Sequence, residues 1–141
     1  MSKPVTQEDV SGCGVACVAF VCNRSYGYVK SRHFRGIGSP TKGYFCRDIV
    51  KALARSGRRY AFKRARKGER FTNGTIIFVK RSERYPAGHY LVKTSKGYMN
   101  PWSNFPEIRS PRSGFTARLP GVPSYAVYPA GAHKMYKKHA R

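Results

Sequence analysis

Apolar residues gather first over residues 13–22, CGVACVAFVC, an uncharged run in which Cys13, Cys17 and Phe20 recur at helical spacing. A helix is predicted there from Ser11 or Gly12 to about Asn23, after a polar, extended stretch over residues 1–9. Residues 24–42 mix Gly, Ser and Pro with six basic residues, His33 included, and read as a long loop with room for a short helical turn. A second helix is predicted from Gly43 to Ser56, with Phe45, Ile49, Val50 and Leu53 as its apolar stripe and Gly57 as its stop.

The period then changes. Tyr60-Ala61-Phe62 reads as a short strand followed by a basic turn through Gly68. Residues 75–79, TIIFV, are β-branched and aromatic, the pattern of a buried strand. His89 to Lys93 is a second strong strand, Ser95-Lys96-Gly97 a tight turn and Tyr98-Met99 its return. A proline-broken loop is expected over 101–113 and a closing strand over Ser124–Tyr128. Helices first and an antiparallel sheet after them is the α+β pattern. One domain over residues 1–128 and a basic tail over 129–141 are expected.

Composition narrows the picture. The 40% hydrophobic content and 18 Phe plus Tyr residues favour a folded core over disorder. Against 28 Lys plus Arg stand 6 Asp plus Glu, a net charge of +22, which points to a polyanionic partner such as nucleic acid. The candidates are Arg32, Arg35, Lys42, Arg58, Arg59, Lys63, Arg64, Arg66, Lys67, Lys80, Arg81 and Arg84, clustered between elements and interleaved with Tyr and Phe. The longest apolar run, Val15–Cys22, is too short to span a bilayer. Glu8 and Asp9 precede it where a signal peptide carries basic residues, so a cytoplasmic or virion-associated protein is expected. Cys13 and Cys17 stand at helical i, i+4 spacing, too splayed for an easy disulfide, which argues for free thiols, and Cys13, Cys17, Cys22 and Cys46 lack a C-x-x-C pair, which argues against zinc. No metal and no cofactor are expected.

What remains is a thiol, an imidazole and an amide spread along the chain. Cys13 opens the first helix, where unpaired backbone N–H groups favour an anion. That effect supplies at most about 2 kcal/mol of the about 2–6 needed to make a catalytic thiolate, so a cation is required, with His89 as imidazolium the candidate. His89 begins a strand after Pro86-Ala87-Gly88, and the hairpin returns Asn100 beside it to orient the ring. Gln7, six residues before Cys13, can donate its amide to an oxyanion.

Gln7, Cys13-Gly14-Val15-Ala16-Cys17, the Phe45–Gly57 helix, Gly74–Val79, Gly88-His89-Tyr90-Leu91-Val92 and Asn100-Pro101 together resemble the bacteriocin-processing C39-type cysteine peptidases and their stand-alone relatives. The resemblance covers about residues 5–128 and implies a papain-like fold, helices packed on the sheet. By that resemblance Cys13 is the nucleophile, His89 the base, Asn100 the orienter and Gln7 the oxyanion donor, while Cys17 is not catalytic. The chain departs from the family in carrying Gly12 in place of an acid before the nucleophile, and Asn100 in place of Asp. It has no membrane domain after the peptidase, so cleavage after a double glycine does not carry over. A peptide or protein substrate is implied. Two alternatives stand beside the peptidase: a catalytically minor or inactive binding protein on nucleic acid, in a phage particle or on a ribosome, and a deamidase or transglutaminase-type toxin using the same residues.

Overall fold

A computed structural model describes residues 3–39 and 42–130. Its elements, in order, are α1 (Cys13–Cys22), α2 (Tyr26–Arg32), α3 (Cys46–Arg55), β1 (Tyr60–Arg64), β2 (Ile76–Val79), β3 (His89–Thr94), β4 (Gly97–Asn100), β5 (Gly114–Thr116) and β6 (Pro123–Pro129). The protein is α+β: three helices precede one six-stranded sheet of order β1-β6-β2-β3-β4-β5, with every neighbouring pair antiparallel. The predicted tail, with His133 and His139, lies outside the described residues apart from Pro129 and Ala130. Pro129 ends β6, and Ala130 is buried with its N–H donated to the Arg59 carbonyl.

α1 is the centre of the core. Every residue from Gly14 to Cys22 is buried, so the helix has no solvent face, and Cys13, Cys17 and Phe20 do not define a single apolar stripe. It packs against β3 and both other helices, and Gly14 lets them approach. A Cβ there would sit 2.6 Å from the Ile49 Cδ1 of α3. Asn23 ends the helix in the left-handed conformation, φ 55°, with its N–H on the last turn's carbonyls.

α2 occupies part of the predicted loop. Ser25 caps it by accepting the Tyr28 N–H, and only Tyr26 and Val29 are buried, which explains why its apolar pattern is too thin to read. In α3 the stripe is Ile49, Ala52 and Leu53; Phe45 is the N-cap residue and is 69% exposed, so it does not belong to that stripe. The Asp48 carboxylate accepts the Phe45 N–H at 2.8 Å and fixes the start of the helix. α3 covers β1 and β6.

The strongest strand predictions map onto β2, β3 and β4, and the others are lengthened at their ends. β5 is the element missed: its three half-buried residues carry too little alternation, and it exists because it pairs with β4, Met99 opposite Phe115.

Candidate active site

Local sequence places His89. The chain turns at Ser82–Tyr85, where Ser82 N–H donates to the Tyr85 carbonyl and the Ser82 hydroxyl accepts Tyr85 N–H. Gly88 then adopts φ +80°, and a Cβ there would meet the Phe78 ring at 2.2 Å and the Val79 carbonyl at 2.9 Å. Only glycine fits. β3 therefore begins at a defined residue, and alternation puts His89 and Tyr90 on opposite faces. Tyr90 turns to the helices and donates its hydroxyl to the Tyr44 carbonyl.

His89 is buried, its Nε2 2.7 Å from Asn100 Oδ1. The roles follow from the neighbours. Asn100 Oδ1 accepts the Trp102 backbone N–H at 3.0 Å, and Asn100 Nδ2 donates to the Tyr85 hydroxyl at 3.1 Å. The Tyr85 hydroxyl in turn donates to the Trp102 carbonyl at 3.0 Å. The amide thus has one orientation, and its oxygen carries no hydrogen, so Nε2 must hold the proton and Nδ1 the lone pair. The Tyr85 ring stacks on the imidazole, centroids 4.1 Å apart and planes at 3°. Burial drives His89 down to about 4, the Asn100 bond opposing it and Arg84 adding to it. The ring is neutral at physiological pH, in contrast to the imidazolium expected from the sequence.

Cys13 keeps partial exposure at the head of α1. Backbone N–H groups of Tyr90, Gly14 and Cys13 itself favour its thiolate, but burial outweighs them and pushes the thiol up to about 11. Tyr90 is the residue next to His89, but Cys13 and His89 are not hydrogen-bonded to each other. The structure joins His89 and Asn100 directly; it sets Cys13 at the head of α1, the helix that packs on β3, without a hydrogen bond to His89.

Gln7 is buried between the two halves of the site. Its N–H donates to the Pro101 carbonyl at 3.3 Å, and its side-chain Nε2 donates to the carbonyls of Asp9 (2.9 Å) and Val10 (3.0 Å). Both amide hydrogens are committed, which is a correction to the free oxyanion donor expected from the sequence. Its Oε1 is buried without a partner.

The same turn accounts for Gly12. A Cβ there would lie 1.9 Å from the Tyr26 hydroxyl, which donates to Asp9 at 2.6 Å. Asp9 also pairs with Lys30 at 3.0 Å; burial opposes its ionisation, and the Tyr26 and Lys30 contacts overcome it, holding the carboxyl below its usual range. A tyrosine held by a carboxylate stands where a side chain at position 12 would be.

The four cysteines are free, and Cys17 and Cys22 are buried. Among the described residues no group of His, Cys, Asp and Glu is placed to hold a metal, and no helix is long and apolar enough to cross a membrane. The twelve basic residues predicted to meet a polyanion are all exposed. Arg84 lies beside the site, donating to the Ser103 carbonyl at 3.2 Å with its guanidinium over the Tyr85 ring. Tyr85, which stacks on His89 and bonds Asn100, is the residue of the candidate site that the sequence reading passed over; a tyrosine four positions before the candidate base is its only trace.

Compared with models of protein families, the chain matches none, and no characterised protein matches it either.

Proposed function

We propose that the protein is a papain-like cysteine hydrolase, resembling the C39-type peptidases, that cleaves a peptide bond through Cys13, His89 and Asn100. The observation that carries this reading is the Asn100–His89 bond, because it leaves Nδ1 bare as a base on β3, the strand that packs against α1, which Cys13 begins. This reading requires the Cys13 Sγ to come within reach of Nδ1 when substrate is bound. The thiol proton then passes to Nδ1 as Sγ attacks the substrate carbonyl carbon. The oxyanion takes the Cys13 N–H at the start of α1. Collapse breaks the C–N bond, and His89 returns the proton to the leaving amine. Water, deprotonated by the same nitrogen, splits the thioester and frees the acid.

A glutamine side-chain amide can undergo the same steps, giving deamidation. The test is incubation of unfolded protein substrates with wild type and Cys13→Ala, read by mass spectrometry. New chain termini that require Cys13 support the peptidase, whereas a gain of about one mass unit at glutamine without cleavage supports the deamidase. If neither product depends on Cys13, and a thiol-directed probe labels Cys13 equally in wild type and His89→Ala, the enzyme reading is wrong. The exposed basic residues favour a role alongside a nucleic acid or another anionic assembly, which the chemistry neither requires nor opposes.

A further inference from the structure

Away from the thiol, the C-terminal ends of the three helices converge on a cleft of about 340 Å3 lined by Arg24, Tyr28, His33, Arg55 and Arg58 together with Cys22 and Ser56. We propose that this cleft is a phosphate-binding site and that the phosphates it takes are those of a nucleic-acid backbone. Three guanidiniums face it, and no carboxylate lines it.

Arginines beside helix C-termini also serve to satisfy carbonyls. Arg55 does that work: its Nη1 donates to the carbonyls of Arg35 (2.6 Å) and His33 (3.2 Å). Arg24 and Arg58 do not. The Arg24 guanidinium makes no hydrogen bond among the described residues and lies 4.9 Å from the Tyr28 ring centre, and Arg58 has one long contact, 3.5 Å, to the Ser56 carbonyl. Two forks of donors are therefore uncommitted, and bidentate phosphate recognition is what such forks supply. The ring of Tyr28 already carries Arg24 and Arg32, the latter at 5.4 Å, so the cleft reads phosphate rather than stacked bases.

The cost of this arrangement shows at His33. Burial and then the fields of Arg24, Arg32, Arg55 and Arg58 lower its pKa, with no acid offsetting them. A bound phosphate relieves that field. Nucleic acid is favoured as the source because exposed Arg32, Arg35 and Arg59 continue the positive surface beyond the cleft, which a single small anion would leave unused.

The site is independent of the thiol chemistry, so Cys13→Ala retains it. The test is binding of a fluorescent single-stranded oligonucleotide across a salt series, comparing wild type, R24Q/R58Q and R109Q/R118Q. The two double variants lose the same charge; Arg109 and Arg118 are exposed and do not line the cleft. R24Q/R58Q is expected to bind at least about tenfold more weakly, with a log–log salt slope shallower by roughly 1.5, while R109Q/R118Q stays within about twofold of wild type. Equal weakening by both pairs means diffuse charge and overturns the site, as does an unaffected R24Q/R58Q. Tripolyphosphate should displace the oligonucleotide and raise the His33 pKa measured by NMR in wild type but not in R24Q/R58Q. Tripolyphosphate binding with no oligonucleotide binding at low salt would assign the cleft to a free polyphosphate and reject nucleic acid. Circular dichroism should show both variants folded, since Arg24 and Arg58 hold no element together.

Discussion

Asn100 is the residue on which the candidate base depends, because its amide is held from three sides and it in turn decides which imidazole nitrogen is bare. Tyr85→Phe removes the acceptor of the Asn100 N–H and the donor to the Trp102 carbonyl, leaving two buried groups unpaired. The expected loss is about 1–3 kcal/mol in denaturant unfolding, with slower thiol-probe labelling of Cys13. Cys46, also partly exposed, is the internal reference whose rate should not change. Burial of Cys13 and His89 predicts a neutral pair at rest. Thiolate absorbance in the difference between wild type and Cys13→Ser should accordingly be absent at neutral pH and emerge only towards about 11. Absorbance already present at neutral pH would mean an ion pair instead. His89 also links to stability. Its pKa is about 6.5 unfolded and about 4 folded, so between those values the unfolded chain binds more protons and stability falls as pH drops. About 3 kcal/mol should be lost between pH 7 and pH 4, with only a few tenths more below. In His89→Gln this component should vanish from the pH dependence of the unfolding free energy.

At the scale of elements, the junction of α1 and α2 is set by one missing side chain. Gly12→Ala drives a methyl into the Tyr26 hydroxyl and must pull Tyr26 from Asp9. A cost of about 2 kcal/mol or more is expected from thermal unfolding. Tyr26→Phe removes the clashing oxygen, so the double variant should be less destabilised than the sum of the two singles, a coupling of about 0.5 kcal/mol or more. Simple additivity would mean that Tyr26 moves away without resistance. The helix α1 was legible because its composition is apolar throughout, yet the same uniformity concealed which face meets β3. The stretch 24–42 was read as a loop because α2 buries only two side chains, and its helical state rests on the Ser25 cap and on packing against α1. β5 illustrates the converse: three residues with no distinct pattern become a strand because β4 offers an unpaired edge.

Across the whole molecule the net charge is +22; every described Lys and Arg except Lys30 and Lys93 is exposed, and the few described carboxylates are largely spent locally: Asp9 on Lys30 and Tyr26, Asp48 on the start of α3, and Glu69 on Lys63 at 2.6 Å. The surviving positive surface repels itself, and salt should therefore stabilise the free protein. The unfolding midpoint is expected to rise with ionic strength over the range that screens surface charge, and a flat response would show that the unfolded chain carries the same repulsion. Salt that stabilises the fold should at the same time weaken binding to a polyanion, a pair of opposed trends that separates binding through charge from binding through apolar contact.

The amino-acid sequence alone determined the α+β order, the strands β2, β3 and β4, and the juxtaposition of His89 with Asn100, because hydrophobic period and a short hairpin are local and the return of a hairpin is forced. Tertiary structure decided what depends on burial and on partners distant in the chain. It made His89 and Cys13 neutral, since desolvation is a property of packing and not of residue type. It committed the Gln7 amide to the carbonyls before α1, and it gathered Arg24, Arg55 and Arg58 from the ends of separate helices into one cleft.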